Sequence, residues 1–165
     1  MQTYAYGFPR IGEKREFKKV TEAYWKKSIS EAELKSGLKG IEEGMLSAYE
    51  GNVDKFPVGE MTMYDNMLDT AIMLGLKSYN SPDEYYELCR GKDALEMTKW
   101  FNTNYHYLLS EIEGAEFRAA SNKAKYKLAE FNKGIPYFIG PFTFLKLSKG
   151  IAKDNFRESL LKLAN

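Results

Sequence analysis

Short runs of aromatic and β-branched residues recur along the chain, and long stretches with helical periodicity separate them. This alternation is typical of crossover units, in which a helix carries the chain back so that the next strand runs parallel to the last. It therefore favours a parallel sheet over hairpins. The predicted strands are residues 3–6, 55–58, 105–109 and 137–140.

Start and stop signals place helices between these strands. Ser30 and Glu33 form a capping box, in which each side chain satisfies a backbone N–H at the helix start, and Gly51 can adopt the left-handed turn that ends the helix. Ser81 before Pro82 is a second start signal, because proline fits the first helical turn. The other predicted helices are residues 15–26, a helix capped by Thr62 and stopped by Gly75, and residues 93–100, 122–133 and 155–164.

The order of these elements predicts an α/β fold of the parallel (β/α)8 TIM-barrel type, of which about the first four βα units are present. A small open doubly wound sheet is the alternative. No linker divides the chain, so residues 1–165 are predicted to be a single partial domain. Four strands cannot close a barrel, and the open edge leads us to expect that the chain is part of something larger.

Charge and hydropathy exclude two classes of partner. The chain carries 24 Lys and Arg against 23 Asp and Glu, so no global field draws it to phosphate backbones. The longest nearly apolar stretch, residues 136–145, is far short of the roughly 20 residues that cross a bilayer, and residues 1–10 lack a signal peptide's pattern. We expect a soluble, cytoplasmic protein with no nucleic-acid or membrane partner.

Cys89 is the only cysteine and His106 the only histidine. No intrachain disulfide can form, and no cysteine- or histidine-rich metal site can be assembled. Cys89 is expected to act as a small apolar residue on a helix, and His106 as a hydrogen-bonded structural histidine on a strand. The sequence therefore predicts no metal site in this chain.

Motifs in order along the chain resemble one family. GFPRIG at residues 7–12 precedes REFK at 15–18, and FPVGE at 56–60 precedes Tyr64 and Asp65. EMTKWFNTNYHY at 96–107 and GPFTFL at 140–145 complete the set. Together they resemble the amino-terminal barrel of cobalamin-independent methionine synthase. One departure is Asn66, where the resemblance leads us to expect histidine.

The resemblance implies a methyltransferase of methionine and amino-acid biosynthesis. Such enzymes move a methyl group from 5-methyltetrahydropteroyltriglutamate to homocysteine, giving methionine, and use two face-to-face barrels. Their zinc ion, which binds homocysteine, lies in the second barrel. This chain corresponds to the front half of the first barrel, so it is expected to be inactive alone, with no catalytic residue and no cofactor of its own.

The resemblance also implies a role in folate binding, at the polyglutamate tail. A triglutamate presents several carboxylates, which need cations or backbone N–H donors. Arg15 and Lys18 lie three apart at a predicted helix start, where the helix dipole favours an anion. The positions carried over from the family are Arg15, Glu16, Phe17, Lys18 and Lys99.

Two other functions remain open on sequence alone. The chain could be a non-catalytic interaction module whose open sheet edge pairs with a second copy or with the missing remainder. It could also be an unrelated barrel enzyme that uses Glu60 and Asp65, since Asp65 and Asp69 lie four apart on one predicted helix. Against this, acidic residues at such positions more often cap a helix or form ion pairs.

Overall fold

The computed structural model describes residues 1–7, 9–114, 117, 134–151 and 155–164. The chain divides into two compact units, residues 1–63 with 126–137 and residues 64–125 with 138–165. The predicted helix at 122–133 lies outside the described residues. In chain order the elements are α1 (Glu16–Trp25), α2 (Glu31–Tyr49), β1 (Phe56–Val58), α3 (Asn66–Met73), α4 (Pro82–Arg90), β2 (Met97–Lys99), β3 (His106–Leu108), β4 (Gly134–Pro136), α5 (Pro141–Lys146) and α6 (Phe156–Ala164).

The first unit contains a parallel strand pair. β1 pairs with β4 in a register that sets Phe56 opposite Gly134. The predicted strand at 3–6 contributes a single parallel bridge, from Tyr4 to Lys55. All of β1 is buried, and its Phe56 packs face to face with Tyr49 at the end of α2. The prediction of parallel pairing is thus confirmed for this unit.

The fourth strand was predicted at residues 137–140, which was wrong, because the strand ends at Pro136. Tyr137, the first of the predicted residues, adds one backbone hydrogen bond beyond the strand, from its N–H to the Val58 carbonyl at 2.8 Å. Gly134 and Pro136 have low strand propensity, so the sequence pattern did not predict a strand at these residues. Their pairing is decided by the buried partner strand instead.

The two helices of the first unit follow their local signals. α1 lies within the predicted helix, and α2 begins with the predicted capping box: the Glu33 N–H donates to Ser30 Oγ, and the Ser30 N–H donates to the Glu33 carboxylate at 2.7 Å. α2 ends just before Gly51, whose φ of 76° is left-handed as predicted. Gly37 of α2 meets Val20 of α1 so closely that a Cβ there would lie 2.6 Å from a Val20 methyl.

The second unit departs from the predicted crossover pattern. β2 and β3 form an antiparallel pair, with Met97 opposite Leu108. The prediction of a parallel sheet without hairpins was therefore wrong here, and so was the helix at 93–100. β3 was predicted correctly, and its buried Tyr107 and Leu108 anchor the pair. Residues 97–99 pair with β3 instead of continuing a helix. The helix signal that begins at Asp93 is weak, and pairing with the buried residues of β3 outweighs it.

The helices of the second unit were largely predicted. α4 begins after Ser81, whose hydroxyl accepts from the Glu84 N–H, and α6 lies within the predicted 155–164. α3 was predicted to be capped by Thr62, which was wrong: the cap is Asp65, whose Oδ1 accepts from the Leu68 N–H at 2.9 Å. A short side chain that faces the helix start binds it better than one three residues upstream. Gly75 follows the last turn as predicted, with φ 74°.

The described part of the chain is thus a mixed α/β structure with a parallel strand pair and an antiparallel one. This arrangement is compatible with part of a TIM-barrel-type domain. The core of the second unit is formed by α3, β3 and α5, with Met67, Tyr107 and Phe144 at its centre. No helix among the described residues is long and apolar enough to cross a membrane.

Replacement of Ser30 by alanine tests the capping box. Ser30→Ala removes the acceptor for the Glu33 N–H, and we expect the free energy of unfolding to fall by about 1 kcal/mol. The measurement is chemical denaturation followed by circular dichroism. The control is Ser36→Ala, an exposed position inside α2, where alanine is the better helix former. Equal denaturation midpoints for the two variants would contradict the prediction.

Candidate functional site

The start of α1 carries most of the residues predicted to bind folate. Arg15 is the N-cap residue, with a left-handed backbone at φ 60° and ψ 39°, and its side chain makes no capping hydrogen bond. Arg15 and Glu16 are exposed. Lys18 is also exposed, and its ammonium lies 3.3 Å from the Glu22 carboxylate. The first turn of α1 therefore presents two cations beside the positive end of a helix dipole.

The remaining two residues of this stretch hold the helix start in place. Phe17 is buried, and the Arg10 guanidinium lies 4.7 Å from the centre of its ring. The Phe17 N–H donates to the Ile11 carbonyl at 3.3 Å. The Glu16 carboxylate accepts from the Lys14 N–H. Phe17 is therefore an anchor for the loop before α1, with little surface for a ligand.

Lys99, the fifth predicted residue, belongs to the second unit. It ends β2, opposite His106, and its side chain is exposed. The loop that follows contains Phe101, which has a left-handed backbone at φ 48°. Trp100 packs edge to face against Phe101, Tyr105 and Tyr107. The structure thus places Arg15 to Lys18 on one helix start and Lys99 at a strand end stiffened by aromatic contacts.

Sequence reasoning missed a polar cluster after β1. Tyr49 donates its hydroxyl to Glu60 at 2.7 Å. Burial first, and then this hydrogen bond and the Glu60 charge, raise the pKa of Tyr49. Burial also raises the pKa of Tyr137, with Glu60 adding to the effect and Arg10 opposing it. The only signal was positional, since Glu60 follows a predicted strand and Arg10 lies in GFPRIG.

The two aspartates considered as an acid and base pair are structural. Asp65 caps α3, and its own N–H donates to the Tyr85 hydroxyl at 3.3 Å. That hydroxyl donates in turn to Asp69 Oδ1 at 2.7 Å. Both carboxyl groups are buried, as is Tyr85. This network ties α3 to α4, which agrees with the capping interpretation of Asp65 rather than with catalysis.

The donor atoms in the described part of the chain do not fit a zinc site. Among the described residues no three or more His, Cys, Asp or Glu side chains converge on one point. Cys89 is buried, its thiol donates to the Tyr85 carbonyl, and burial raises its pKa, which opposes the thiolate that zinc needs. His106 is exposed, with Nδ1 3.0 Å from the Asn104 carbonyl.

Comparison with known proteins decides the family. Residues 2–165 match the sequence profile described as "Cobalamin-independent synthase, N-terminal domain". The chain belongs to this family. The resemblance inferred from GFPRIG and the later motifs is confirmed.

Similar curated proteins from three bacteria carry the name 5-methyltetrahydropteroyltriglutamate-homocysteine methyltransferase. The protein of Thermotoga maritima is 46% identical over 98% of the chain and 24% of its own length. That of Bacillus cytotoxicus is 42% identical over 99% of the chain and 24% of its length. That of Listeria welshimeri is 38% identical over 94% of the chain and 23% of its length. The chain thus spans about a quarter of the length of these relatives.

The buried network of Asp65, Asp69 and Tyr85 can be tested through the Tyr85 hydroxyl. Tyr85→Phe leaves Asp69 without this donor and the Asp65 N–H without its acceptor, so we expect the free energy of unfolding to fall by about 1–3 kcal/mol. Denaturant titration measures the change. Tyr6→Phe, at a side chain 93% exposed, is the control and should unfold as the wild type does. A Tyr85→Phe variant as stable as the control would refute the structural role of the network.

Proposed function

We propose that this chain is the front half of the first TIM-type barrel of a methionine synthase and binds the polyglutamate tail of 5-methyltetrahydropteroyltriglutamate. The complete enzyme transfers the methyl group to homocysteine. The observation that carries the proposal is the pair of exposed cations, Arg15 and Lys18, at an α1 start where the Arg15 side chain makes no capping hydrogen bond. The name shared by the relatives supports the identity of the substrate.

The chemistry of the tail matches the start of α1. Each glutamate of the tail adds a carboxylate, and an arginine can bind a carboxylate with two parallel hydrogen bonds. The Arg15 side chain makes no capping hydrogen bond and the Phe17 N–H already donates to the Ile11 carbonyl, so a ligand carboxylate would be held by the two cations with support from the helix dipole. The left-handed backbone of Arg15 sets its side chain apart from the regular helix, whereas Lys18 lies within the first turn.

The ion pair of Lys18 does not stand in the way of binding. Its side chain is 46% exposed and that of Glu22 is 40% exposed. Exposed ion pairs of this kind contribute about 0–1 kcal/mol, because water screens them and ordering two long side chains costs entropy. A ligand carboxylate can therefore take over the Lys18 ammonium at little cost. Lys99 is proposed as a folate-binding residue on the family resemblance, and its side chain is exposed at the end of β2.

The chemical step is assigned to the remainder of the longer enzyme. A catalytic zinc site takes three protein ligands and an open position, and Cys89 and His106 do not supply them. We therefore propose that this chain alone binds folate without transferring its methyl group. The proposal favours a methyltransferase over the interaction module, for which the comparisons offer no support, and over an enzyme unrelated to this family.

Titration calorimetry with tetrahydropteroyltriglutamate tests the proposed site. We expect Arg15→Ala, Lys18→Ala and Lys99→Ala each to weaken binding about tenfold, since a hydrogen bond between charged groups contributes ~1.5–3 kcal/mol. The control is Lys19→Ala, an exposed lysine on the same helix, which should bind as the wild type does.

A second comparison isolates the tail. The monoglutamate form of the same folate lacks the extra carboxylates, so the wild-type chain should bind it more weakly than the triglutamate form. Equal affinity for the two forms, or equal losses in Lys19→Ala and Arg15→Ala, would overturn the proposed site.

A further inference from the structure

Glu60 is a partly buried carboxylate held at the carboxyl end of β1. Its Oε1 accepts the hydroxyl of Tyr49 at 2.7 Å. Tyr49 is only 5% exposed, and its ring is stacked on Phe56 with centroids 5.3 Å apart. Gly59, with φ 74°, turns the chain directly before Glu60. The carboxylate is therefore anchored by the buried end of α2 rather than free to rotate into solvent.

The second oxygen of Glu60 lies against the segment that precedes α1. A Cβ built on Gly7 would lie 3.2 Å from Glu60 Oε2, a contact tighter than ordinary van der Waals packing. Gly7 stands just ahead of residues 9–15, which we call the lead-in segment because it ends at Arg15, the N-cap of α1. Glycine thus lets the backbone approach the anchored carboxylate.

The lead-in segment is also tied to α1 itself. Arg10 lies over the Phe17 ring, and Ile11 accepts the Phe17 N–H. Burial raises the pKa of Tyr137, beyond β4; the Glu60 carboxylate adds to this rise and the Arg10 guanidinium opposes it. Contacts therefore run from α2 through Glu60 to Gly7, just ahead of the lead-in segment, and from Arg10 and Ile11 of that segment to the first turn of α1.

We propose that Glu60 is a positioning residue for the polyglutamate site. Its carboxylate holds the lead-in segment against the strand ends, so that Arg15 and Lys18 present their charges in the geometry that the tail requires. Glu60 itself does not touch the tail, because its Oε1 is bound to Tyr49 and its Oε2 packs on Gly7. The inference rests on the proposed function and deepens it.

A double-mutant cycle distinguishes positioning from direct binding. Calorimetry with tetrahydropteroyltriglutamate should show that Glu60→Ala weakens binding about tenfold, the effect of losing one charged contact. In the Arg15→Ala background the same change should cost less than in the wild type, because Glu60 acts in part through Arg15 and only its effect on Lys18 remains. Glu60→Gln keeps an acceptor for Tyr49 and should restore most of the affinity. Effects of Glu60 and Arg15 that simply multiply would overturn the inference.

Gly7→Ala tests the same contact from the other side. Its Cβ must displace the Glu60 carboxylate or the lead-in segment, so binding should weaken although Glu60 is intact. The matched control is Gly40→Ala on α2, where a Cβ meets no atom within 4 Å. This pair remains informative if Glu60→Ala does not fold, which circular dichroism would reveal. Equal affinity in the Gly7 and Gly40 variants would count against positioning.

Tyrosine titration supplies a readout that does not depend on folate. In Glu60→Gln the pKa of Tyr137 should fall, because the negative charge that disfavours its tyrosinate is gone. The pKa of Tyr107, which is raised by burial and other carboxylates, should stay unchanged. Carbon NMR of ring-labelled tyrosine measures both, and an unchanged Tyr137 would refute the proximity of Glu60. A wild-type chain that binds no triglutamate overturns the proposed function, whereas binding insensitive to Glu60 and Gly7 overturns only the inference.

Discussion

The first unit depends on the burial of β1. Its three residues are buried, one side chain stacks on the end of α2, and its backbone pairs with β4. Parallel strands bring their carboxyl ends to the same edge, so the chain segments that leave them must meet there. Glu60, Gly7 and Tyr137 lie at this edge for this reason, although they are far apart in sequence. The position of the lead-in segment follows from this edge.

The proposed anion site has a local rather than a global electrostatic origin. With a net charge of +1 the chain has no long-range field for a polyanion. In the proposed site, selectivity comes from two exposed cations beside the start of α1. Charges of this kind act over about a Debye length, roughly 8–10 Å in physiological salt, so their placement decides their effect. The contacts that hold the lead-in segment therefore matter for binding, because this segment ends at Arg15.

Local signals predicted the helices well and the strand pairing poorly. The capping box at Ser30 and the start at Ser81 were confirmed because a helix satisfies its own backbone, and its ends are set by residues within one turn. The helix predicted at 93–100 failed because those residues pair with β3, a partner that no local rule can see. The same reason explains β4, whose glycine and proline gave no strand signal.

The candidate site also has features that follow from the sequence and features that only tertiary structure decides. The sequence by itself determined the family, the cations at the start of α1 and the presence of a single cysteine and a single histidine, since these depend on which residues are present and in what order. Tertiary structure alone decided that Asp65 and Asp69 serve a buried network and that Glu60 reaches Tyr49 and Gly7. Such contacts join residues distant in sequence, and only the packing of strands and helices brings their atoms within hydrogen-bonding distance.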